Sequence, residues 1–99
     1  MIQGGTVYIM TNRLRTVVYI GVTADLRARV EEHKNHTFKR SFTAKYHCEF
    51  CVFYEHFPTI MQAISREKEV KKWRRDKKNE LINSMNPNWE DLSPIINSW

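Results

Sequence analysis

The chain of 99 residues has little cysteine, no long apolar run and no repetition. Its two cysteines, Cys48 and Cys51, make a single Cys-x-x-Cys, which excludes a disulfide framework of the kind that staples small secreted domains. No apolar stretch approaches the eighteen or more residues that a membrane-spanning helix needs. The first apolar stretch is brief and runs at once into Asn12-Arg13-Leu14-Arg15, unlike a secretory leader. Internal repeats and low-complexity segments are missing as well. These absences lead to the expectation of a soluble, cytoplasmic protein with no membrane partner. The length allows one domain with one modest core, expected over residues 1–99 with 86–99 as a C-terminal packing arm. A hydrophobic fraction of 41% with 12% aromatics argues against intrinsic disorder.

The lone cysteine pair could begin a metal site only with two further ligands. His47 and His56 are the nearby candidates, and the one histidine pair, His33 and His36, is tightly spaced. Structural zinc favours two separated ligand pairs. The simpler reading makes Cys51 a small strand residue beside Val52 and Phe53, and it is preferred.

What the chain has in excess is positive charge, and that excess is local. Sixteen Lys or Arg stand against eleven Asp or Glu, a net +5. Arg66, Lys68, Lys71, Lys72, Arg74, Arg75, Lys77 and Lys78 oppose only Glu67, Glu69 and Asp76, so residues 66–78 alone account for all of it. Such a run is ordinarily a solvated helix face. Here it contains Trp73, and a basic strip beside an aromatic is also the footprint of a phosphate-binding surface. It lacks the continuous apolar face that would settle in a membrane interface. DNA is therefore the expected partner, with Lys71, Lys72, Arg74, Arg75 and Lys78 as the contacting residues.

Two β-prone segments, Thr6 to Met10 and Val17 to Val22, flank a polar stretch and predict a hairpin. A symmetric loop over Asn12 to Arg15 would set Tyr8 opposite Tyr19 and Met10 opposite Val17. Asp25 is placed to cap a helix from Leu26 to about His36. Thr37 to His47 shows no period and is expected to be loop. Phe50 to Glu55 reads as a well-covered strand. Pro58-Thr59 opens a second helix, with Thr59 and Gln62 at capping-box spacing. That helix continues through Val70 and Trp73 to Leu81-Ile82 with a break near Asp76, and Asn86-Pro87 ends it. The order β-β-α-β-α-α predicts an α+β fold, a three-stranded antiparallel sheet flanked by helices.

Two charges fall on the inward faces of these helices. Leu26 and Val30 define the first stripe, and Arg29 and His33 share it. Glu67 lies among Ile60, Ala63, Ile64 and Val70 on the second. One explanation is an internal Arg29–Glu67 salt bridge, or side chains that reach out to water. The other is a site. A guanidinium, a carboxylate, an imidazole and two phenols beside a basic helix suit phosphodiester hydrolysis. The carboxylate would hold a hard divalent cation, and the guanidinium would grip phosphate oxygens. A tyrosine would serve as general base if nearby positive charge lowered its pKa.

Tyr19-Ile20-Gly21-Val22-Thr23-Ala24-Asp25-Leu26-Arg27-Ala28-Arg29, preceded by Thr6-Val7-Tyr8, resembles the GIY-YIG nuclease superfamily. The second tripeptide is intact, and the first keeps only its tyrosine. Ala63 to Glu67, Lys71 to Arg75 and Asn86 to Leu92 extend the resemblance. Together these stretches are most similar to small stand-alone bacterial proteins related to the nuclease half of the excinuclease UvrC. The resemblance implies one-metal endonuclease chemistry on DNA, in repair or recombination, with Mg²⁺ or Mn²⁺ and no small-molecule cofactor. It implies catalytic roles for Tyr8, Tyr19, Arg29 and His33, a metal-binding role for Glu67 and a structural one for Gly21. The family's late asparagine corresponds to Asn79, Asn86 or Asn88. A non-catalytic DNA-binding or adaptor module with the same fold is the alternative, and a structural partner in a complex is a third.

Overall fold

Strands β1 (Gly5–Thr11) and β2 (Val18–Thr23) form the hairpin in the computed structural model, which describes residues 4–99. The first three residues of the expected 1–99 domain lie outside the described residues. The hairpin exists where the β-branched and aromatic runs predict it, but its register differs by two. Tyr8 lies opposite Gly21 and Met10 opposite Tyr19. Asn12 is the physical reason. Its Oδ1 accepts from the backbone N–H groups of Thr16 and Val17 at 2.9 and 3.1 Å, and its Nδ2 donates to Thr16 Oγ1. Those amides are thereby withdrawn from the ladder, and the loop widens to Asn12–Val17. A shift of two preserves which residues share a face. Tyr8 and Tyr19 therefore stay on one side of the sheet, as diagonal neighbours rather than partners.

Asp25 caps helix α1 (Leu26–Lys34) by accepting from Ala28 N–H at 3.1 Å. Substituting such a cap costs about 1 kcal/mol. The helix stops two residues before the expected end. His36, at φ 50°, turns the chain left-handed, with His36 N–H bonded to His33 O and Thr37 N–H to Glu32 O. That is a Schellman ending with histidine where glycine is usual. The 37–47 segment is not all loop. Ser41 caps a one-turn helix α2 (Phe42–Lys45), and the chain reverses again at His47, φ 56°. Ser41 Oγ accepts from Ala44 N–H, which gives this short turn the same N-terminal signature as a longer helix.

Strand β3 (Phe50–Phe57) completes an antiparallel sheet of order β2-β1-β3. Its near-continuous apolar run reflects cover on both faces and one irregularity. Ile9 pairs with Phe53 but Met10 pairs with Cys51, so Val52 is an extra residue at a bulge. The bulge lets Val52 and Phe53 join Val7, Ile9 and Ile20 on one face while Cys51 faces Met10 on the other.

Helix α3 (Ile60–Lys71) begins with the expected capping box, Thr59 with Gln62. Its Ala63 and Val70 cover the Val7–Ile9–Ile20 face, joined by Ile82 of α4 (Arg75–Met85). Ile60, expected on that apolar face, is over a third exposed. The break between α3 and α4 falls at Lys72–Arg74, slightly before Asp76. On the opposite face, Leu26 and Val30 of α1 and Ile96 of a final short helix α5 (Ser93–Asn97) pack on Tyr8, Met10 and Cys51. The expected irregular tail thus contains a helical turn. Its approach is fixed by Asn86, whose Nδ2 donates to Val52 O and Glu90 O while its Oδ1 accepts from Glu90 N–H. No helix among the described residues is long and apolar enough to cross a membrane.

Candidate active site

Tyr8 projects from β1 onto the α1 side of the sheet because Gly21 leaves room for it. A Cβ at position 21 would lie 2.4 Å from both Cζ and the hydroxyl of Tyr8. The glycine therefore seats the phenol rather than making a turn. Tyr19, from β2, lies beside it with ring centroids 6.3 Å apart. His33, the inward residue in the last turn of α1, completes a three-ring cluster. Its ring is 5.6 Å from Tyr8 and 5.7 Å from Tyr19.

Hydrogen bonds lock this cluster from below. The Tyr8 hydroxyl lies 2.9 Å from His33 Nε2, and His33 Nδ1 lies 2.9 Å from Thr43 Oγ1. Thr43 Oγ1 in turn is 3.1 Å from Ser41 Oγ. Burial, with the Arg29 charge adding to it, pushes the His33 imidazole down to about 4, so it is neutral at pH 7. One proton arrangement gives every buried donor an acceptor. Tyr8 O–H donates to Nε2, Nδ1–H donates to Thr43, and Thr43 O–H donates to Ser41.

The Tyr8 phenol does not meet the condition for a general base. Burial, reinforced by the neighbouring Tyr19, drives its pKa well above the ordinary value, and the Arg29 charge opposes this only in part. With a side chain about 1% exposed, Tyr8 stays protonated and serves as a hydrogen-bond donor. Tyr19 is the half-buried member of the pair. Its ring stacks on Phe42 of α2 at 6.1 Å.

Arg29 is half-buried at the margin of the cluster, close enough for its charge to act on both Tyr8 and His33. Its Nε pairs with Glu32 at 3.2 Å. Glu67 comes from α3, in the layer that packs on β1 and β2 from the other face. Its side chain is only 12% exposed and pairs with Lys71 at 3.0 Å. The two inward charges thus do not neutralise each other. Each has a partner on its own helix, and the internal Arg29–Glu67 bridge does not form.

The basic segment is more structured than a solvated strip. Arg66 bonds Glu55 and Glu69 and lies 5.0 Å from the Trp73 ring centre, with Lys77 Nζ at 4.2 Å from the same ring. Arg75 donates to the carbonyls of Arg15 and Thr16 and to Asn79 Oδ1. It therefore fastens the hairpin loop to α4. Lys71 is paired with Glu67, Arg74 is exposed beside Asp76, and Lys72 is exposed. Lys78 is half-buried on α4. The Arg75 contact also brings exposed Arg13 and Arg15 alongside this corner. A charge count along the chain misses them because acidic residues elsewhere cancel them. The signal that could find them is Asn12-Arg13-Leu14-Arg15, once that loop is placed against the helix corner.

Of the three candidate asparagines, Asn86 is committed to backbone groups at both ends of its amide. Asn79 stands next to Arg75, and the Asn88 carbonyl accepts from Arg15. The cysteines are fully buried in the core, where burial pushes Cys48 up to about 11 and Cys51 up to about 12. They are neither ready nucleophiles nor ready ligands. His56, a zinc candidate by sequence, instead meets Thr6 Oγ1 at 2.7 Å.

Residues 4–80 match the family model described as the GIY-YIG catalytic domain. No curated protein and no solved structure gives a significant match.

Proposed function

Because the chain belongs to the GIY-YIG family of nuclease domains, we propose that it is a divalent-metal-dependent endonuclease that hydrolyses phosphodiester bonds of DNA. The observation that carries this reading is the packed cluster of Tyr8, Tyr19 and His33 under the charge of Arg29. Tyr19, partly open to solvent, is assigned to orient or deprotonate the attacking water. Tyr8 and His33 hold Tyr19 in place through their packing and their buried hydrogen bond. Arg29 is assigned to the scissile phosphate, where a guanidinium offers two parallel donors and a permanent charge.

The residues present fit a hard cation. Mg²⁺ is usually held by one or two carboxylates together with waters and substrate phosphate, and Glu67 is a mostly covered carboxylate whose protein partner is a displaceable lysine. Glu67 is assigned as the residue that holds Mg²⁺ or Mn²⁺. When bound, the ion would stabilise negative charge on the departing oxygen. β2 is an outer strand, with Tyr19 on it and α3 packed against it. The two helical layers therefore border one open edge, where we place the phosphate. Lys72, Arg74 and Lys78, with Arg13 and Arg15 of the hairpin loop, are assigned to the flanking backbone. Such contacts position a duplex without reading its sequence. A role in repair or recombination, and a relation to the nuclease half of the excinuclease UvrC, rest on the motif resemblance.

The test is nicking of supercoiled plasmid with Mg²⁺ or Mn²⁺ by the wild type, Arg29→Ala and Glu67→Gln. Metal-dependent nicking by the wild type, reduced at least about 100-fold in both variants, is expected from the loss of charge stabilisation. Equal nicking by all three would overturn the proposal. DNA binding with no nicking under any metal would favour the adaptor reading.

A further inference from the structure

We propose that His36, His47 and Glu49 form a binding site for Zn²⁺ that clasps the 37–46 segment, separate from the Glu67 site and independent of the nuclease reading. These three residues are the one group of metal-ligating side chains found together among the described residues, with ligand atoms within 4.8 Å of one another. His36 Nε2 lies 2.5 Å and His47 Nδ1 lies 3.9 Å from the same oxygen, Glu49 Oε2. Ligands ~2.0–2.1 Å from a tetrahedral zinc stand roughly 3.3 Å apart, so the two distances bracket the required spacing. Two imidazoles and one carboxylate, with a fourth position left to water, are a familiar zinc donor set.

The backbone supplies a second argument. His36 ends α1 and His47 ends α2, and both occupy the same position of a Schellman turn. At the first, His36 N–H meets His33 O and Thr37 N–H meets Glu32 O; at the second, His47 N–H meets Ala44 O and Cys48 N–H meets Thr43 O. Both histidines have left-handed φ, 50° and 56°, where glycine is the usual choice. Capping alone does not explain a bulky side chain at two such turns. That both side chains then converge on one carboxylate, with rings 5.5 Å apart, is what a ligand role explains. Lys34 Nζ donates to the Glu49 carbonyl and fixes the backbone behind the carboxylate.

The clasp has a consequence for its neighbours. The enclosed segment carries Phe42, stacked on Tyr19, and Thr43, bonded to His33. Zn²⁺ at this position would tie both to the start of β3.

The test titrates Zn²⁺ alone into the metal-free full chain by calorimetry, with His36→Asn, His47→Asn and Glu67→Gln alongside. Asparagine tolerates left-handed φ, so the histidine variants keep their turns. One Zn²⁺ per chain is expected for the wild type and Glu67→Gln, with affinity reduced at least tenfold in each histidine variant. Zn²⁺ should also slow tryptic cleavage after the exposed Lys39 and Arg40 in the wild type but not in His47→Asn. Failure of the wild type to bind, unchanged affinity in both histidine variants, or loss of the site in Glu67→Gln would overturn the proposal.

Discussion

The Tyr8 hydroxyl and His33 Nε2 meet at 2.9 Å in a fully covered contact, so a strand residue and a helix residue 25 positions apart share one proton site. Tyr8→Phe would leave the imidazole nitrogen buried without its partner. A loss of about 1–3 kcal/mol in unfolding free energy is expected, measured by urea denaturation. A variant as stable as the wild type would show that water or a shifted ring replaces the hydroxyl.

His33 also makes stability depend on pH. Its folded-state value of about 4 lies below the ordinary 6.5. Between these values the unfolded chain binds the proton that the folded chain refuses, so stability falls as pH drops from 6.5 towards 4. The expected contribution is roughly 2 kcal/mol across that window. His56, also depressed by burial, acts in the same direction. Comparing the pH dependence of wild type and His33→Gln isolates the His33 share. Parallel curves would mean that the imidazole is protonated in the folded state.

Gly21→Ala should be destructive out of proportion to one methyl group, because that methyl would sit 2.4 Å from the Tyr8 ring. Overpacking of this kind costs about 1–3 kcal/mol. Replacing Tyr8 by Leu in the same chain should recover part of it, since the smaller side chain vacates the space. A double-mutant cycle with no coupling between positions 8 and 21 would contradict the seating role.

For DNA affinity, the exposed cations and the engaged one should separate. Lys72→Ala with Arg74→Ala is expected to reduce the slope of log affinity against log salt by about 0.9 for each phosphate that is no longer neutralised. Arg75→Ala should instead loosen the hairpin loop, which it holds through two carbonyls. Limited proteolysis at Arg13 and Arg15 reads that loosening. An unchanged salt slope in the first variant would remove this corner from the interface.

The elements that were legible in the sequence carry their signal locally. Asp25 before Leu26, and Thr59 with Gln62, announce helix starts through their own side chains, and both caps form. The inward stripe of Leu26, Val30 and His33 followed from periodicity alone, as did the covered position of Glu67. What escaped depends on contacts between distant segments or on residues in unusual roles. The hairpin register turned on Asn12 using its amide on Thr16 and Val17, which strand propensity does not encode. The α1 ending is hidden because His36 occupies a glycine position. Helix α2 is a single turn, too short to show a period, though Ser41 was its visible cap. The partners of Arg29 and Glu67 were both on their own helices, at spacings of three and four, and a pairing between helices was the less local choice.

The Asn12 loop has an implication for how damage to this protein would look. Sliding the hairpin by two residues keeps oily side chains inside and polar ones outside, so calorimetry would report a sound molecule. The same slide would take the Tyr8 ring away from its bare neighbour on β2 and out of alignment with α1. An Asn12 lesion would therefore silence chemistry while sparing solubility and melting temperature, and a screen that scores only expression would pass it.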